Sequence, residues 1–175
     1  MIFIRLVCKI NFSPRKKMKT AIYPGTFDPI TLGHLDILNR AGKLFDKIIM
    51  AVAPNDTKNP MFPLEERMRL VRENIANIPF ASAEVLEGLT VDFAKKHGAT
   101  IIIRGLRVVS DFEFEYQLAQ MNRFLDGGIE TVLLMPSKQY FFTSSTIIKQ
   151  VAVFDEERIS SFVPPNVIEA IKRMR

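Results

Sequence analysis

The residues best suited to chemistry sit in one stretch, 21–34, which reads Ala-Ile-Tyr-Pro-Gly-Thr-Phe-Asp-Pro-Ile-Thr-Leu-Gly-His. A short apolar run closes at Pro24-Gly25, a loop follows, and an amphipathic helical pattern starts near Leu32. The loop supplies the Thr26 hydroxyl. Thr31 as helix N-cap places the His34 imidazole in the first helical turn, where a ring N–H can donate to a phosphate. Unpaired N–H groups and the macrodipole make such a helix start attractive to anions. Gly33 leaves space beside the ring for a nucleotide. The stretch reads as a phosphate site containing a histidine, against the plainer alternative of a histidine that only caps or packs.

Other phosphate-seeking groups follow. Arg104-Gly105-Leu106-Arg107 comes directly after Ile101-Ile102-Ile103, and two arginines at a strand end can fork onto phosphate oxygens. Thr143-Ser144-Ser145-Thr146 runs into Ile147-Ile148-Lys149, where hydroxyls and N–H groups at a helix start make either an anion cradle or an ordinary cap. Lys58 lies in the polar loop Pro54–Pro60. Several chemistries are excluded. Neither G-x-x-x-x-G-K-[ST] nor G-x-G-x-x-G occurs. No cysteine or histidine cluster has metal-ligand spacing. Nothing fixes two of Asp28, Asp111, Glu113 and Glu115 across a sugar, and Ser144 and Ser145 lack a nucleophile-elbow context. His97, in Lys95-Lys96-His97-Gly98, reads as a helix C-terminal residue with no catalytic role.

These groups need elements to position them. Apolar runs at Thr20–Tyr23, Ile48–Ala53, Ala83–Leu86, Thr100–Ile103 and Thr131–Met135 predict five strands. Helical patterns fill the gaps. Leu35, Leu38, Gly42 and Phe45 mark one, and Phe114, Leu118, Met121 and Leu125 another. Ser110-x-x-Glu113 predicts a capping box at the start of the second, with Gly127-Gly128 at its end. Pro63 before Glu65-Glu66 and Pro164-Pro165 predict two more helix starts. Strands buried as apolar runs and alternating with helices predict an α/β, Rossmann-like, doubly wound, parallel five-stranded sheet with helices on both faces. Ligands of such sheets bind beyond the carboxyl ends of the strands. Thr26 and His34 follow the first strand, Lys58 the second, Arg104 and Arg107 the fourth, and Ser144 to Thr146 the fifth.

Composition sets the outer limits. A chain of 175 residues with 47% hydrophobic content suits one domain with a sizeable core. The net charge of +5 is local: residues 1–17 hold Arg5, Lys9, Arg15, Lys16 and Lys17 and no acid, leaving 19 bases against 19 acids in the rest. A neutral body argues against nucleic acid as a partner. No uninterrupted apolar run is long enough to span a membrane. Cys8, the only cysteine, lies in the basic segment, so no disulfide framework forms within the chain and a cytoplasmic location is expected. Residues 1–17 read as an extension or disordered tail ahead of Met18, and residues 18–175 as a single domain.

Tyr23-Pro24-Gly25-Thr26-Phe27-Asp28-Pro29 with Thr31-x-Gly33-His34 resembles the (T/H)-x-G-H signature of the nucleotidyltransferase superfamily. Ser144-Ser145-Thr146-x-x-Lys149 resembles its second motif. Arg104-Gly105-Leu106-Arg107, Asp111-Phe112-Glu113-Phe114-Glu115, Gln117-Leu118-Ala119, Met121-Asn122 and Met135-Pro136-Ser137 narrow the likeness to the bacterial phosphopantetheine adenylyltransferases, over essentially residues 18–175. The resemblance implies that the 4′-phosphate of phosphopantetheine attacks the α-phosphorus of ATP, giving dephospho-coenzyme A and pyrophosphate with Mg²⁺ and no covalent intermediate. It implies that His34 stabilises the transition state, with Lys58 and Arg107 also in the catalytic set. Thr26, Lys58, Thr90 and Arg104 would hold the acceptor. Thr26, Phe27, His34, Gly105, Leu106, Arg107, Glu115 and the run Tyr140, Phe141, Phe142, Thr143, Ser144, Ser145 and Thr146 would hold ATP. No protein side chain would ligate the metal, which would bind mainly through ATP phosphates. A homohexamer inhibited by coenzyme A is also implied. Gln150, Thr90 and Phe114 depart from the common pattern without removing a phosphate ligand. Two alternatives stay open: a nucleotidyltransferase with another acceptor, such as nicotinamide mononucleotide or a small alcohol phosphate, and a non-catalytic nucleotide-binding or basic interaction module.

Overall fold

A computed structural model describes residues 18–54 and 60–174. Five strands alternate with helices: β1 (Thr20–Gly25), α1 (Leu32–Ala41), β2 (Lys47–Val52), α2 (Leu64–Ile75), β3 (Ala81–Val85), α3 (Thr90–Lys96), β4 (Ile101–Gly105), α4 (Val109–Leu125), β5 (Glu130–Leu134), α5 (Ser145–Ala152) and α6 (Pro165–Lys172). Single 3₁₀ turns at Lys138–Tyr140 and Glu157–Ile159 flank α5. All strand pairs are parallel, and the order across the sheet is β3-β2-β1-β4-β5. The chain builds outward from β1 to β3, then crosses back to start again at β4 on the other side. This is the doubly wound α/β sheet that the sequence predicts.

Alternation along the central strands explains the two-sided core. Ala21 and Tyr23 of β1 and Ile48, Met50 and Val52 of β2 face one side, against Leu38 of α1, Val71 of α2, Ile148 of α5 and Val167 of α6. Ile22, Ile49, Ala51 and Ile102 face the other, against Val91, Phe93 and Ala94 of α3. Each Val, Leu, Ile, Phe or Met among them contributes roughly 1.5–3 kcal/mol when fully buried. The edge strand β3 begins two residues before the expected Ala83. Ser82 and Glu84 break its apolar run, as suits a strand with only one neighbour.

The capping box expected at Ser110 is replaced by a different start. Helix α4 begins at Val109, and the Asp111 carboxylate reaches back to accept the N–H groups of Arg107 (3.2 Å) and Val108 (3.4 Å). A short acidic side chain in the first turn does what the expected serine does not. The predicted starts at Pro63 and Pro164-Pro165 match α2 and α6.

One pairing positions the site. β1 and β2 pair over six residues, but β1 and β4 share only Ala21↔Ile101 and Ile22↔Ile102. Beyond Ile22 the two strands part, at the point where the strand order reverses. Ligands of doubly wound sheets lie in that crevice.

Candidate active site

A cavity of about 580 Å³ opens where β1 and β4 separate, a volume within the ordinary range for a small-molecule site. Its wall takes Thr26, Phe27, Gly33 and His34 from the loop and helix after β1, and Arg104, Gly105 and Arg107 from the end of β4. Glu115 comes from α4, Thr90 from the start of α3, and Tyr140 with Thr143, Ser144, Ser145 and Thr146 from the approach to α5. Residues far apart in the chain thus meet as the sequence reading expects. Leu106, Phe141 and Phe142 do not line the cavity. The Leu106 N–H goes to the Leu134 carbonyl (2.9 Å), which continues the β4–β5 ladder. The Phe141 and Phe142 rings stack edge to face at 5.0 Å, and Phe142 is 80% exposed. Lys58 and residues 1–17 lie outside the described residues.

Two helix starts converge on this space. At α1, Thr31 is the N-cap and its hydroxyl accepts the His34 N–H (3.3 Å). The reciprocal bond comes from the imidazole: His34 Nδ1 accepts the Thr31 backbone N–H at 3.0 Å. A backbone N–H can only donate, so Nδ1 carries no proton and the ring is the Nε2–H tautomer. The capping and phosphate-donor readings of His34 are therefore compatible, because the ring caps with one nitrogen and keeps the other as donor. Burial lowers its pKa from 6.5 to about 4, with the charges of Arg107 and Arg104 adding to the effect. The imidazole is neutral at physiological pH.

Phe27 fixes the ring from the other side, with centroids 5.1 Å apart at 80°. Phe27 is buried and adopts φ 47°, a left-handed conformation that costs a bulky residue energy. Its ring folds back over Gly25, where a Cβ would lie 3.0 Å from Phe27 Cζ. The close approach signalled by that glycine is to the aromatic ring.

At α5, the Ser144 hydroxyl accepts the Ile147 N–H (3.1 Å) as N-cap, and Ser145 Oγ donates to the Pro29 carbonyl (2.9 Å). The buried Thr143 Oγ1 has no hydrogen-bond partner among the described residues. An unsatisfied buried hydroxyl costs about 1–3 kcal/mol, which a ligand oxygen at this wall would recover.

The arginines are held by carboxylates. Arg104 forks onto Glu115 through Nε and Nη2, both 2.7 Å, and its Nη1 donates to the Pro24 carbonyl (3.0 Å). Burial works against the Arg104 charge, but Glu115 outweighs it and holds the guanidinium above its ordinary pKa. A guanidinium has five N–H donors, so two remain for a ligand. Arg107 pairs with Asp111 (3.1 Å from Nε) and reaches the Thr143 carbonyl (3.3 Å). Burial raises the Tyr23 hydroxyl pKa, with Arg104 and Arg107 only partly opposing it. His97 stays away from the cavity, packed on Phe93 at 4.4 Å with Nε2 3.4 Å from Glu84. Sequence reasoning passed over Asp111 as the partner of Arg107, and over Leu86, Phe114, Leu118 and Asn122 as wall residues. Helical spacing alone shows Leu118 as core, and only the fold turns it toward the cavity.

Among the described residues no group of three or more His, Cys, Asp or Glu could hold a metal ion, and no helix is long and apolar enough to cross a membrane. Residues 22–151 match the cytidylyltransferase-like family. The chain is 51% identical over 154 residues to the phosphopantetheine adenylyltransferase of Methylococcus capsulatus, covering 88% of this chain and 94% of that one. It is 50% identical over 154 residues to the phosphopantetheine adenylyltransferase of Geotalea daltonii, covering 88% and 95%. The solved structure of Plasmodium falciparum nicotinic acid mononucleotide adenylyltransferase complexed with NaAD superposes with a TM-score of 0.66 at 18% identity, over 90% of this chain and 96% of that one, and so shares its fold. With half of the positions identical over nearly the whole of both relatives, the chain belongs to the phosphopantetheine adenylyltransferase family of nucleotidyltransferase enzymes.

Proposed function

We propose that this chain transfers the adenylyl group of ATP to 4′-phosphopantetheine, giving dephospho-coenzyme A and pyrophosphate in coenzyme A biosynthesis. A terminal phosphate oxygen of the acceptor attacks the α-phosphorus in line, a new P–O bond forms, and the bond to the β-phosphate bridging oxygen breaks. The observation that carries this reading is the mixed lining of one cavity. It brings together anion-binding groups, namely two helix starts, Arg104, Arg107 and the His34 ring. The same lining includes Leu86, Thr90, Phe114, Leu118 and Asn122, a mostly apolar set with an amide, suited to a pantetheine arm.

In this reading the protein positions the two phosphates and stabilises charge, with no covalent step of its own. His34 Nε2–H donates to an α-phosphate oxygen as charge builds there. Glu115 orients Arg104 so that its free N–H groups, together with Lys58, hold the acceptor phosphate. Arg107, Thr26 and the Thr143–Thr146 segment hold the ATP phosphates, and Phe27 packs against the nucleotide. Mg²⁺ would arrive on the ATP phosphates, since Glu115, the only carboxylate among the described wall residues, is engaged by Arg104. When bound, the ion neutralises charge on the departing pyrophosphate.

Coenzyme A contains the same phosphopantetheine arm as the acceptor, which supports its action as a feedback inhibitor. Helix α4 leaves Phe112, Tyr116, Met121 and Phe124 exposed, with Phe124 at 85%, which supports burial in a homohexamer. Cytoplasmic location, and residues 18–175 as the whole catalytic domain, belong to the same proposal. Pyrophosphate release measured with ATP and a panel of acceptors tests it. Selective turnover of 4′-phosphopantetheine is expected. Selective turnover of nicotinate mononucleotide, or ATP binding without pyrophosphate release, would overturn it.

A further inference from the structure

Two charged side chains outside the cavity are almost completely buried: Asp28 and Arg67, each 1% exposed. Neither lines the cavity, and the reaction described above uses neither. Asp28 Oδ1 accepts the Phe62 N–H (2.9 Å), and Oδ2 accepts the Met61 N–H (2.9 Å) and Lys149 Nζ (2.8 Å). Arg67 donates from Nε to the Phe62 carbonyl (3.1 Å) and from Nη1 to the carbonyls of Thr26 and Ala53, both 2.7 Å. The peptide groups of Phe62 are thus gripped at the N–H by a carboxylate and at the C=O by a guanidinium. Burying such charges is costly unless every acceptor and donor is used. An apolar side chain could fill the same space, but it would not fix direction.

We propose that Asp28 is a positioning residue that registers the segment carrying Thr26, Phe27 and the His34 helix start against the start of α5, acting through Lys149. The geometry supports this directly. Asp28 immediately follows Phe27, and Lys149 lies on α5, whose first turn supplies Ser145 and Thr146 to the opposite wall. The Ser145–Pro29 hydrogen bond is a second tie between the same two segments. The two helix starts must face each other at a fixed separation for both to address one chain of phosphates, and the Asp28–Lys149 pair sets it. The competing role for Lys149 is a direct contact to a bound phosphate, with Asp28 only a resting partner.

This inference rests on the proposed adenylyl transfer, and its test separates the two. The variants are Asp28→Asn, Lys149→Met and the double variant, in the full chain. The asparagine NH2 must face either the Phe62 N–H or the Met61 N–H together with Lys149, donor against donor in both cases. ATP affinity by calorimetry, kcat and both KM values are measured for each. Backbone amide and His34 ring resonances are recorded without ligand. Expected are a 10- to 100-fold loss of ATP affinity in each single variant, no further loss in the double variant, and a smaller change in KM for the acceptor. Lys149→Met should also shift the Phe27 and His34 resonances in the ligand-free protein, a readout available even if Asp28→Asn fails to fold. Multiplicative losses in the double variant, or ligand-free resonances unmoved by Lys149→Met, would establish the direct phosphate contact and overturn the proposal. If wild type releases no pyrophosphate while the ligand-free resonances still shift, the reading of the reaction fails and the registration role stands.

Discussion

The His34 ring offers the sharpest test, because its geometry sets both its tautomer and its charge. With Nδ1 occupied by the Thr31 N–H at 3.0 Å, only Nε2–H can serve the α-phosphate. In the proposed reaction, replacing His34 by alanine would remove one donor that strengthens as charge develops. The expected loss is about 2–4 kcal/mol, or roughly 30- to 1000-fold in kcat, with a smaller change in KM. Because the ring pKa is lowered to about 4, only about one ring in a hundred is protonated at pH 6. Between pH 5 and 8 the His34 contribution to kcat/KM should therefore be flat. The stability consequence has a definite sign. The unfolded chain binds a proton at His34 near pH 6.5, whereas the folded chain resists until about pH 4. Acid therefore favours unfolding across that window, by on the order of 2–3 kcal/mol, and His34→Gln should lack this component. The assays are steady-state pyrophosphate release, denaturant unfolding at pH 7 and 4.5, and ¹⁵N ring shifts. An imidazolium or an Nδ1–H tautomer at pH 6 would refute the reasoning. So would an acid limb near pH 6.5 that disappears in His34→Gln.

Other perturbations probe separate parts of the argument. Thr31→Ala removes the hydroxyl cap but keeps the backbone N–H on Nδ1, so it should cost about 0.5–2 kcal/mol in unfolding free energy while kcat changes less than threefold. Glu115→Gln should raise KM for phosphopantetheine by about tenfold with kcat less affected, because Arg104 loses a charged fork that orients it. Gly42→Ala should destabilise by about 1–3 kcal/mol in denaturant unfolding, since its Cβ would meet the Phe80 ring at 2.3 Å. A chain beginning at Met18 should match full-length kcat and KM, and failure to turn over would assign residues 1–17 a part in the enzyme.

Much of the fold is legible in the sequence because parallel strands covered on both faces must be continuous apolar runs. Ile48 to Val52 and Ile101 to Ile103 could hardly be anything else. Thr31 is legible as a cap because hydroxyl side chains before an amphipathic run have few other uses. What escapes sequence is pairing across the fold. Arg67 lies among Glu65, Glu66 and Arg69 and reads as one more solvated helix charge, yet it is buried against three carbonyls. Arg104 and Glu115 are eleven positions apart on different elements, so their fork is visible only once α4 packs beside β4. The Phe141-Phe142 pair shows the reverse, since membership in a motif-like run does not turn a ring toward the cavity.

The short pairing of β1 with β4 has a consequence for how such a pocket can be lost. Residues along a strand turn their peptide groups alternately to the two neighbours. Gly25 turns toward β2, where its carbonyl accepts the Ala53 N–H, and Pro24 turns toward β4, where its carbonyl accepts from the Arg104 guanidinium. Proline has no N–H to offer, so the central strand cannot zip further along β4 at this point. The sheet is unfinished there, at the mouth of the pocket, and an imino acid one residue from the end of the central strand keeps it so. Pro24→Ala would return a backbone donor to that edge, the one group the strand lacks for pairing there.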